Sequence, residues 1–328
     1  MIKKLNYFIT GGTGSFARAF IKKLTDYENY KKIIIFSRDE FKQEKLKNLN
    51  FVRKNIKKFR FFIGDVRDLE RLRFAIQDDT DILIHAAALK QVPTAEYNPF
   101  ETIKTNVIGA QNVVQVCLEK NIKKALALST DKACAPINLY GATKLAADKL
   151  FISANLFKGK KRTRFSVVRY GNVFGSRGSV IPLLLSQKEN SFFSITDKRM
   201  TRFSITLDEA INFVFNCISN MKGSEIFVPK IPSYKILDLT NAIDKNKKIK
   251  FIGIRPGEKL HEEMITVHDS IFTIEKKRYF IIYPKNKIIK KIKKNKLFSY
   301  NSLSNKYFLS EKDLKKNLAE YQKNTKLF

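Results

Sequence analysis

A chain of 328 residues that is 44% hydrophobic can bury a sizeable core, which excludes a disordered chain and a minimal domain. Its three cysteines, Cys117, Cys134 and Cys217, lie far apart with no C-x-x-C, and there are only three histidines, so neither a disulfide framework nor a metal site is expected. The net charge of +32 raises a nucleic-acid or anionic-membrane partner, yet only 15 of the 63 basic residues are arginine, the bidentate phosphate reader, and the lysines are spread along the whole length. No specific nucleic-acid partner is expected, and attraction of a polyanionic substrate is a by-product of the lysine-rich composition.

The apolar run Tyr7 to Thr10 is too short for a signal peptide and turns straight into glycines. No run of about 18 apolar residues exists to span a membrane, so a cytoplasmic protein is expected. Leu5 to Thr10 reads as a strand, and Gly11-Gly12-Thr13-Gly14-Ser15-Phe16-Ala17 leads from it into a helix running to about Leu24. Glycines at such a turn let the backbone approach a pyrophosphate, and the helix N-terminus adds amides and a positive dipole. Gly11, Thr13, Gly14, Ser15 and Phe16 are therefore cofactor candidates.

Lys32 to Phe36 is a second strand, ending in Ser37, Arg38 and Asp39 with Lys42 behind them. An acidic residue directly at that end suits a ribose diol, whereas an arginine suits a 2′-phosphate. Ser37 and Arg38 come first, which favours NADP. Arg60 to Ile63 is a third strand, with Asp65 and Val66 at its exit as an adenine contact. Asp81 to His85 is a fourth, and the small residues Ala86 and Ala87 leave room for a cofactor to cross the sheet edge, with Lys90 beyond. A helix is expected from about Pro99 to Glu119. Its Asn106 and Gly109 are costly inside a helix, which suggests that they face the site.

Ala125 to Leu128 is a buried strand that places Thr130, Asp131 and Lys132 at its carboxyl end, where open α/β sheets put their ligands. An Asp-Lys pair there reads as an exposed strand end. Pro136 and Asn138 break the chain before a helix beginning near Leu139. On that helix Tyr140 and Lys144 stand four apart and share one face. A phenol titrating near ~10 is a poor base, but a neighbouring ammonium favours the phenolate, so Lys144 is expected to lower it. The pair can then take a proton from a sugar hydroxyl as hydride leaves the same carbon. Tyr-x-x-x-Lys also arises by chance on lysine-rich helices.

Phe165 to Tyr170 is another strand, and its exit carries Asn172, Val173 and Arg177, followed by Val180. Arg202 lies in Met200 to Phe203, a helix spans 207 to 220, and Glu225 to Val228 is a strand. Arg255, Glu258 and Lys259 occupy a second charged loop, so Arg202, Arg255 and Lys259 are candidates for a diphosphate. A lysine run covers 285 to 297, and Ser310 starts a last helix. Strands and helices alternate, giving an α/β Rossmann-type doubly wound parallel sheet. Residues 1–173 plus about 204–230 form the cofactor domain, and about 174–203 plus 231–328 a smaller substrate-binding lobe.

Three readings fit these residues. A sugar 4-epimerase would use Tyr140 and Lys144 but needs no Asp131-Lys132 pair. A dinucleotide sensor or RNA-binding protein explains the charge but leaves Tyr140 and Lys132 without purpose. The ordered motifs G-G-T-G-S-F, F-S-R-D-E, F-F-I-G-D-V-R-D, H-A-A-A-L-K, S-T-D-K-A, N-L-Y-G-A-T-K, V-R-Y-G-N-V, G-S-R-G-S-V-I-P, R-M-T-R-F and R-P-G-E-K-L-H-E support a third. They resemble the extended short-chain dehydrogenase/reductase superfamily, and within it the inverting UDP-N-acetylglucosamine 4,6-dehydratases of the polysaccharide-biosynthesis group.

That resemblance implies NADP as cofactor, a UDP-sugar as substrate and a cycle in which the cofactor is restored. Tyr140, supported by Lys144, deprotonates O4 as the C4 hydride departs. Lys132 removes H5, Asp131 protonates the leaving 6-hydroxyl, hydride returns to C6, and C5 is reprotonated from the opposite face. Thr130 joins this catalytic set. Lys90, Asn172, Arg177, Val180, Arg202, Arg255 and Glu258 are implied substrate contacts. Relatives also pair the helices 99–119 and 139–157 across a two-fold axis, so a homo-oligomer is expected, a dimer or larger ring. A surface or flagellar glycan, through pseudaminic acid or a related sugar, is the implied destination. The resemblance would put histidine at Gln91, asparagine at Ala135, tryptophan at Ser204 and glycine at Ala17.

Overall fold

The computed structural model describes residues 4–176, 178–284 and 297–325. Arg177 and residues 285–296 of the lysine run lie outside them. A nine-stranded sheet runs, in spatial order, through Thr273–Glu275, Tyr279–Ile282, Ile226–Pro229, Arg164–Tyr170, Lys124–Thr130, Ile82–His85, Leu5–Thr10, Tyr30–Ser37 and Phe59–Ile63. The seven strands from Ile226–Pro229 to Phe59–Ile63 pair in parallel, and the two at the far edge are antiparallel.

The central strands are continuous apolar runs because helices cover both faces. Ile33, Ile34, Ile35 and Phe36 are all buried, as are Leu83, Ile84, Ala125 and Leu126. The helix Ser15–Asp26 turns Ala17, Phe20, Ile21 and Leu24 inward, a spacing of three and four that makes one apolar stripe. Ala17 is buried on that stripe, where it serves in place of the expected glycine.

Register decides what shares the carboxyl edge. Thr10 lies beside His85, and Thr130 beside Tyr170. The turns that follow, at Gly11, Ala86, Asp131 and Gly171, therefore open on one side of the sheet. Strand Leu5–Thr10 has Tyr30–Ser37 on one side and Ile82–His85 on the other, so the chain reverses its direction of winding there. The crevice at such a switch point is where doubly wound sheets bind their ligands.

A second apolar cluster gathers Phe174, Ile181, Leu184, Phe193, Met200, Tyr234, Leu239, Leu314 and Leu318. It forms the smaller lobe, built from short pieces such as Val180–Ser186 and Ile236–Ile243 and closed by the helix Glu311–Thr325. Ser310 opens that helix by exchanging hydrogen bonds with Asp313. The division at residue 231 needs amending. Thr273–Glu275 and Tyr279–Ile282 return to the large sheet, and Met264 and Ile265 join its core.

The helix expected from Pro99 to Glu119 is interrupted. Pro99–Ile103 and Gly109–Glu119 are α-helical, and Lys104–Ile108 between them makes a π turn. Such a turn inserts a residue and re-aims the side chains within it, and it is frequent at functional sites. Gly109 does not face the site: a Cβ there would lie 2.6 Å from Val66 Cγ2, so the glycine admits the loop after the third strand.

Candidate active site

The glycine turn is shaped for close backbone approach. Gly11 has φ +63°, and a Cβ on it would come within 2.8 Å of the Ala87 amide nitrogen. Gly14 stands at the N-cap of Ser15–Asp26 without a side chain to occupy the first amides, which leaves them to an anion. Thr13 is buried in this turn. Across the crevice Thr10 Oγ1 accepts from the amides of Ala86 (3.2 Å) and Ala87 (3.3 Å) and meets His85 Nδ1 at 2.9 Å. A narrow cradle with unused helix amides fits a dinucleotide diphosphate.

At the end of the second strand, Ser37 is buried and accepts from Gln43. Asp39 is committed to capping the next helix, accepting from the Lys42 amide at 2.9 Å and pairing with its ammonium at 2.5 Å. Arg38 is exposed and lies 3.6 Å from Asp65, whose carboxyl is otherwise bonded to Arg67. Val66 is buried beneath this loop.

Asn106 lies on the π turn. Its amide grips the Leu89 backbone from both sides, donating to the carbonyl (2.9 Å) and accepting from the N–H (2.8 Å), and donates to Thr143 Oγ1. It thereby fixes the loop that carries Lys90 against the helix Leu139–Phe157.

That helix and the strand before it build the reacting cluster. Asn138 caps the helix by accepting from the Gly141 amide at 2.8 Å. Tyr140 and Lys144 are both buried. Lys144 Nζ donates to the Leu128 carbonyl at 2.7 Å, while burial lowers its pKa and the buried Asp148, one turn on, opposes that. Tyr140 does not behave as the spacing suggests. Burial pushes its phenol up to about 12, and the groups that oppose burial are the Lys132 ammonium and a hydrogen bond to Thr130, with Lys144 contributing no resolved share. The cation that acts on the tyrosine thus comes from the strand end and not from its own helix.

Asp131 is fully buried, accepting at Oδ1 from Thr130 Oγ1 (2.9 Å) and Lys132 Nζ (3.2 Å). Lys132 Nζ also reaches Asn172 Oδ1 at 3.4 Å and Glu262 Oε1 at 3.0 Å. The strand end is thus interior: the Lys132 side chain is only 22% exposed and serves two buried carboxylates. Lys132→Glu would set a third carboxylate among them, so it is a poor probe of this residue. Burial raises the Asp131 carboxyl, partly offset by Lys132 and reinforced by Glu262. Lys132 is raised, because the two carboxylates outweigh its own burial.

Glu262 is a member of this buried cluster that the sequence reading missed. It sits 130 positions from Lys132 in a loop read as a unit, and no local spacing connects the two. That loop is tied to the core stretch twice more, by Lys259 Nζ on the Cys134 carbonyl (2.7 Å) and Asn138 Nδ2 on the Gly257 carbonyl (2.8 Å). Lys259, expected as a diphosphate candidate, thus also anchors its loop to the backbone of the core stretch. Arg202 is buried and lies 3.5 Å from Glu258 and 3.7 Å from Glu262. Val180, Thr196, Met200, Arg202, Arg255 and Glu258 line a cleft of about 170 Å³ in the smaller lobe. Val173 leads into it, its strand pairing with the one that carries Arg202.

Three departures from the resembled pattern have local explanations. Ala135 adopts φ +43°, the left-handed region that asparagine tolerates better than alanine. Ser204 borders a cavity of about 160 Å³ against Leu309, Asp313 and Asn317, where a tryptophan would have room. Gln91 stands at the N-cap position of a short helix, where its side-chain oxygen accepts from the Thr94 hydroxyl and not from a backbone amide.

The switch-point crevice, the glycine turn and the Tyr140–Lys144 helix define a Rossmann-fold protein of the short-chain dehydrogenase/reductase kind. More narrowly, the chain matches the polysaccharide biosynthesis protein family over residues 7–284 and belongs to it. It is 54% identical over 311 residues, 93% of this chain and 90% of the relative, to a UDP-N-acetylglucosamine 4,6-dehydratase (inverting) of Campylobacter jejuni. A Rickettsia canadensis protein named UDP-glucose 4-epimerase is 40% identical over 80% of this chain and 77% of its own. Among solved structures, Pen from Bacillus thuringiensis superposes with a TM-score of 0.88 at 36% identity, covering 97% of this chain and 99% of that one. DesIV, a dTDP-glucose 4,6-dehydratase from Streptomyces venezuelae solved with NAD bound, shares the fold at 18% identity, with a TM-score of 0.68 over 78% of this chain and 87% of its own.

Proposed function

We propose that the chain removes water from UDP-N-acetylglucosamine across C5 and C6, inverting C5 and leaving a ketone at C4, to give UDP-2-acetamido-2,6-dideoxy-β-L-arabino-hex-4-ulose. One observation carries the reading: Asp131 and Lys132 stand in the same buried cluster as Tyr140, joined through Thr130. An epimerase needs a base at O4 only; dehydration also needs an acid at O6 and a base at C5. The relative named as inverting dehydratase supports the same choice.

A bound nicotinamide dinucleotide supplies a reversible hydride acceptor, held by Gly11, Thr13, Gly14, Ser15 and Phe16 at the diphosphate and by Ser37, Arg38, Asp65 and Val66 at the adenosine end. NADP is the preferred form on the ground that Asp39 is engaged as a cap and Arg38 is exposed. Tyr140 takes the O4 proton, and the Lys132 ammonium and the Thr130 hydroxyl favour the phenolate that does so. With a ketone at C4, H5 is acidic: Lys132 Nζ takes it while Asp131 gives its raised proton to O6, which leaves as water. A hydride returned to C6 from the reduced dinucleotide would saturate the C5–C6 bond together with a proton delivered to C5 on the face opposite Lys132, which inverts that centre. Arg202, Arg255 and Glu258 in the cleft, with Asn172 and Lys90, orient the UDP-sugar. The product suits a bacterial surface or flagellar glycan, through pseudaminic acid or a related sugar.

The test is mass and NMR analysis of UDP-N-acetylglucosamine incubated with the pure protein. The expected product is lighter by one water, with deuterium at C5 when the solvent is D₂O. A product of unchanged mass with C4 inverted would establish the epimerase instead.

A further inference from the structure

The Asp131-Lys132 pair is incomplete without a residue from the other lobe. Glu262 is 2% exposed, and its Oε1 lies 3.0 Å from Lys132 Nζ, nearer than Asp131 Oδ1 at 3.2 Å. Its second oxygen, Oε2, is buried without a hydrogen-bond partner, and so is Oδ2 of Asp131. Two buried carboxylates that each leave one oxygen unsatisfied are a costly arrangement for structure alone, since one well-placed apolar residue would avoid the cost. Glu262 is also anchored where its position is defined: its amide accepts no freedom, donating to Ser302 Oγ at 2.9 Å, and its carbonyl accepts from the Ser302 amide at 2.7 Å.

We propose that Glu262 is a positioning residue for the dehydration step, holding Lys132 Nζ in place and countering the ammonium that forms when Lys132 takes H5. The proposal rests on the reading of Lys132 as the C5 base. The protons balance without Glu262 changing state. Before elimination a proton has passed from the Lys132 ammonium to Asp131 across their 3.2 Å hydrogen bond, leaving an amine and a carboxylic acid beside the Glu262 carboxylate. The C5–H bond breaks to Lys132, the C6–O6 bond breaks as Asp131 protonates O6, and a C5–C6 double bond forms. Afterwards Lys132 is an ammonium between two carboxylates. Glu262 acts at both ends, its charge favouring the protonated form of Asp131 beforehand and the protonated form of Lys132 afterwards. The other groups facing Lys132 are Arg202, which opposes its charge, and the phenols of Tyr140 and Tyr234.

The experiment compares Glu262→Gln, Glu262→Asp and Lys132→Ala with the parent, holding cofactor, for turnover, exchange of H5 with D₂O, and reduced-cofactor absorbance on mixing with substrate. Glu262→Gln is expected to lower turnover and H5 exchange by ~10–100-fold with KM changed less than about threefold, as a misplaced base does. C4 oxidation should persist, and the limb of the pH profile set by Lys132 should move to lower pH, because one of the two charges holding its proton is gone. Glu262→Asp keeps the charge and should hold that limb in place while losing rate from its shorter reach. A purely structural role would depress oxidation and dehydration together and move no limb, which overturns the proposal. If Glu262→Gln does not fold, parental turnover and exchange in Glu262→Asp would overturn it equally. Should Lys132→Ala lose exchange while both Glu262 variants match the parent, only the role of Glu262 falls; if Lys132→Ala keeps exchange, the base assignment falls and takes Glu262 with it.

Discussion

Arg38 and Asp39 are neighbours with different duties. Asp39 spends its carboxylate on the Lys42 amide and ammonium, and its pKa lies below the usual range chiefly because of the bond to Lys42. It is therefore a poor ribose-diol acceptor, and on the proposed reading cofactor choice falls to Arg38. Arg38→Asp is expected to reverse a preference for NADP over NAD, measured as the ratio of dissociation constants by fluorescence of the reduced cofactors. Equal affinities in the parent and no shift in the variant would sink the assignment. Ala135 makes a separate prediction. A left-handed residue with a Cβ costs about 1–2 kcal/mol, and asparagine escapes part of that. Ala135→Asn should stabilise the fold by roughly 0.5–1 kcal/mol in denaturant titration. At this scale the sequence is informative only where neighbours in sequence are neighbours in space. Thr130, Asp131, Lys132, Tyr140 and Lys144 could be read together because one strand and one helix carry them. Glu262 could not, and the high phenol pKa of Tyr140 could not either, because burial is set by the whole fold.

Elements carry the next level of constraint. The strands of the large sheet were legible as apolar runs, and the helix 207–220 was legible from its amphipathic pattern; the structure adds a capping box between Thr206 and Glu209 at its start. The smaller lobe was not, since its strands Phe192–Ile195, Ser233–Lys235 and Lys248–Phe251 are too short for a period to show. Nor was the π turn legible: Asn106 marked Lys104–Ile108 as unfavourable for a helix, but no local spacing there separates a π turn from an α-helix. One element contact yields a sharp expectation. A Cβ on Gly141 would lie 2.2 Å from the Lys132 carbonyl oxygen, a backbone atom that cannot swing aside. The first turn of the Tyr140 helix thus rests directly on the Lys132 backbone, and glycine is what permits it. Gly141→Ala should displace Tyr140 from Lys132 and cost about 10²-fold in turnover, with overpacking worth ~1–3 kcal/mol in stability. Parental turnover in a folded Gly141→Ala would show that the contact has no bearing on catalysis.

At the scale of the molecule, the fold assembles its site from two lobes, and the loop bearing Gly257, Lys259 and Glu262 is the seam between them. No described helix is long and apolar enough to cross a membrane, and among the described residues no cluster of metal-ligating side chains occurs. The surface has one further pattern. Large apolar side chains are exposed along the helices that flank the site on one side: Tyr97 and Phe100 before the π turn, Ile108 within it, and Leu156 and Phe157 at the end of Leu139–Phe157. These segments pack on one another, and the sheet beneath them already has its cover from Ala110, Val113, Val114, Ala147 and Phe151. Their outward apolar residues thus lie outside the core of one subunit, and exposed apolar side chains gathered on neighbouring helices mark association surfaces. A second copy of the chain is the expected occupant, because a two-fold axis lets the same patch cover itself. Light scattering at micromolar concentration should give a dimer or a larger closed ring. Phe100→Asp combined with Ile108→Asp should reduce the mass to that of one chain while cofactor affinity stays within about threefold, since neither residue lines the crevice. A parent protein that is strictly monomeric under those conditions, or a double variant that keeps the parental mass, would place the contact elsewhere.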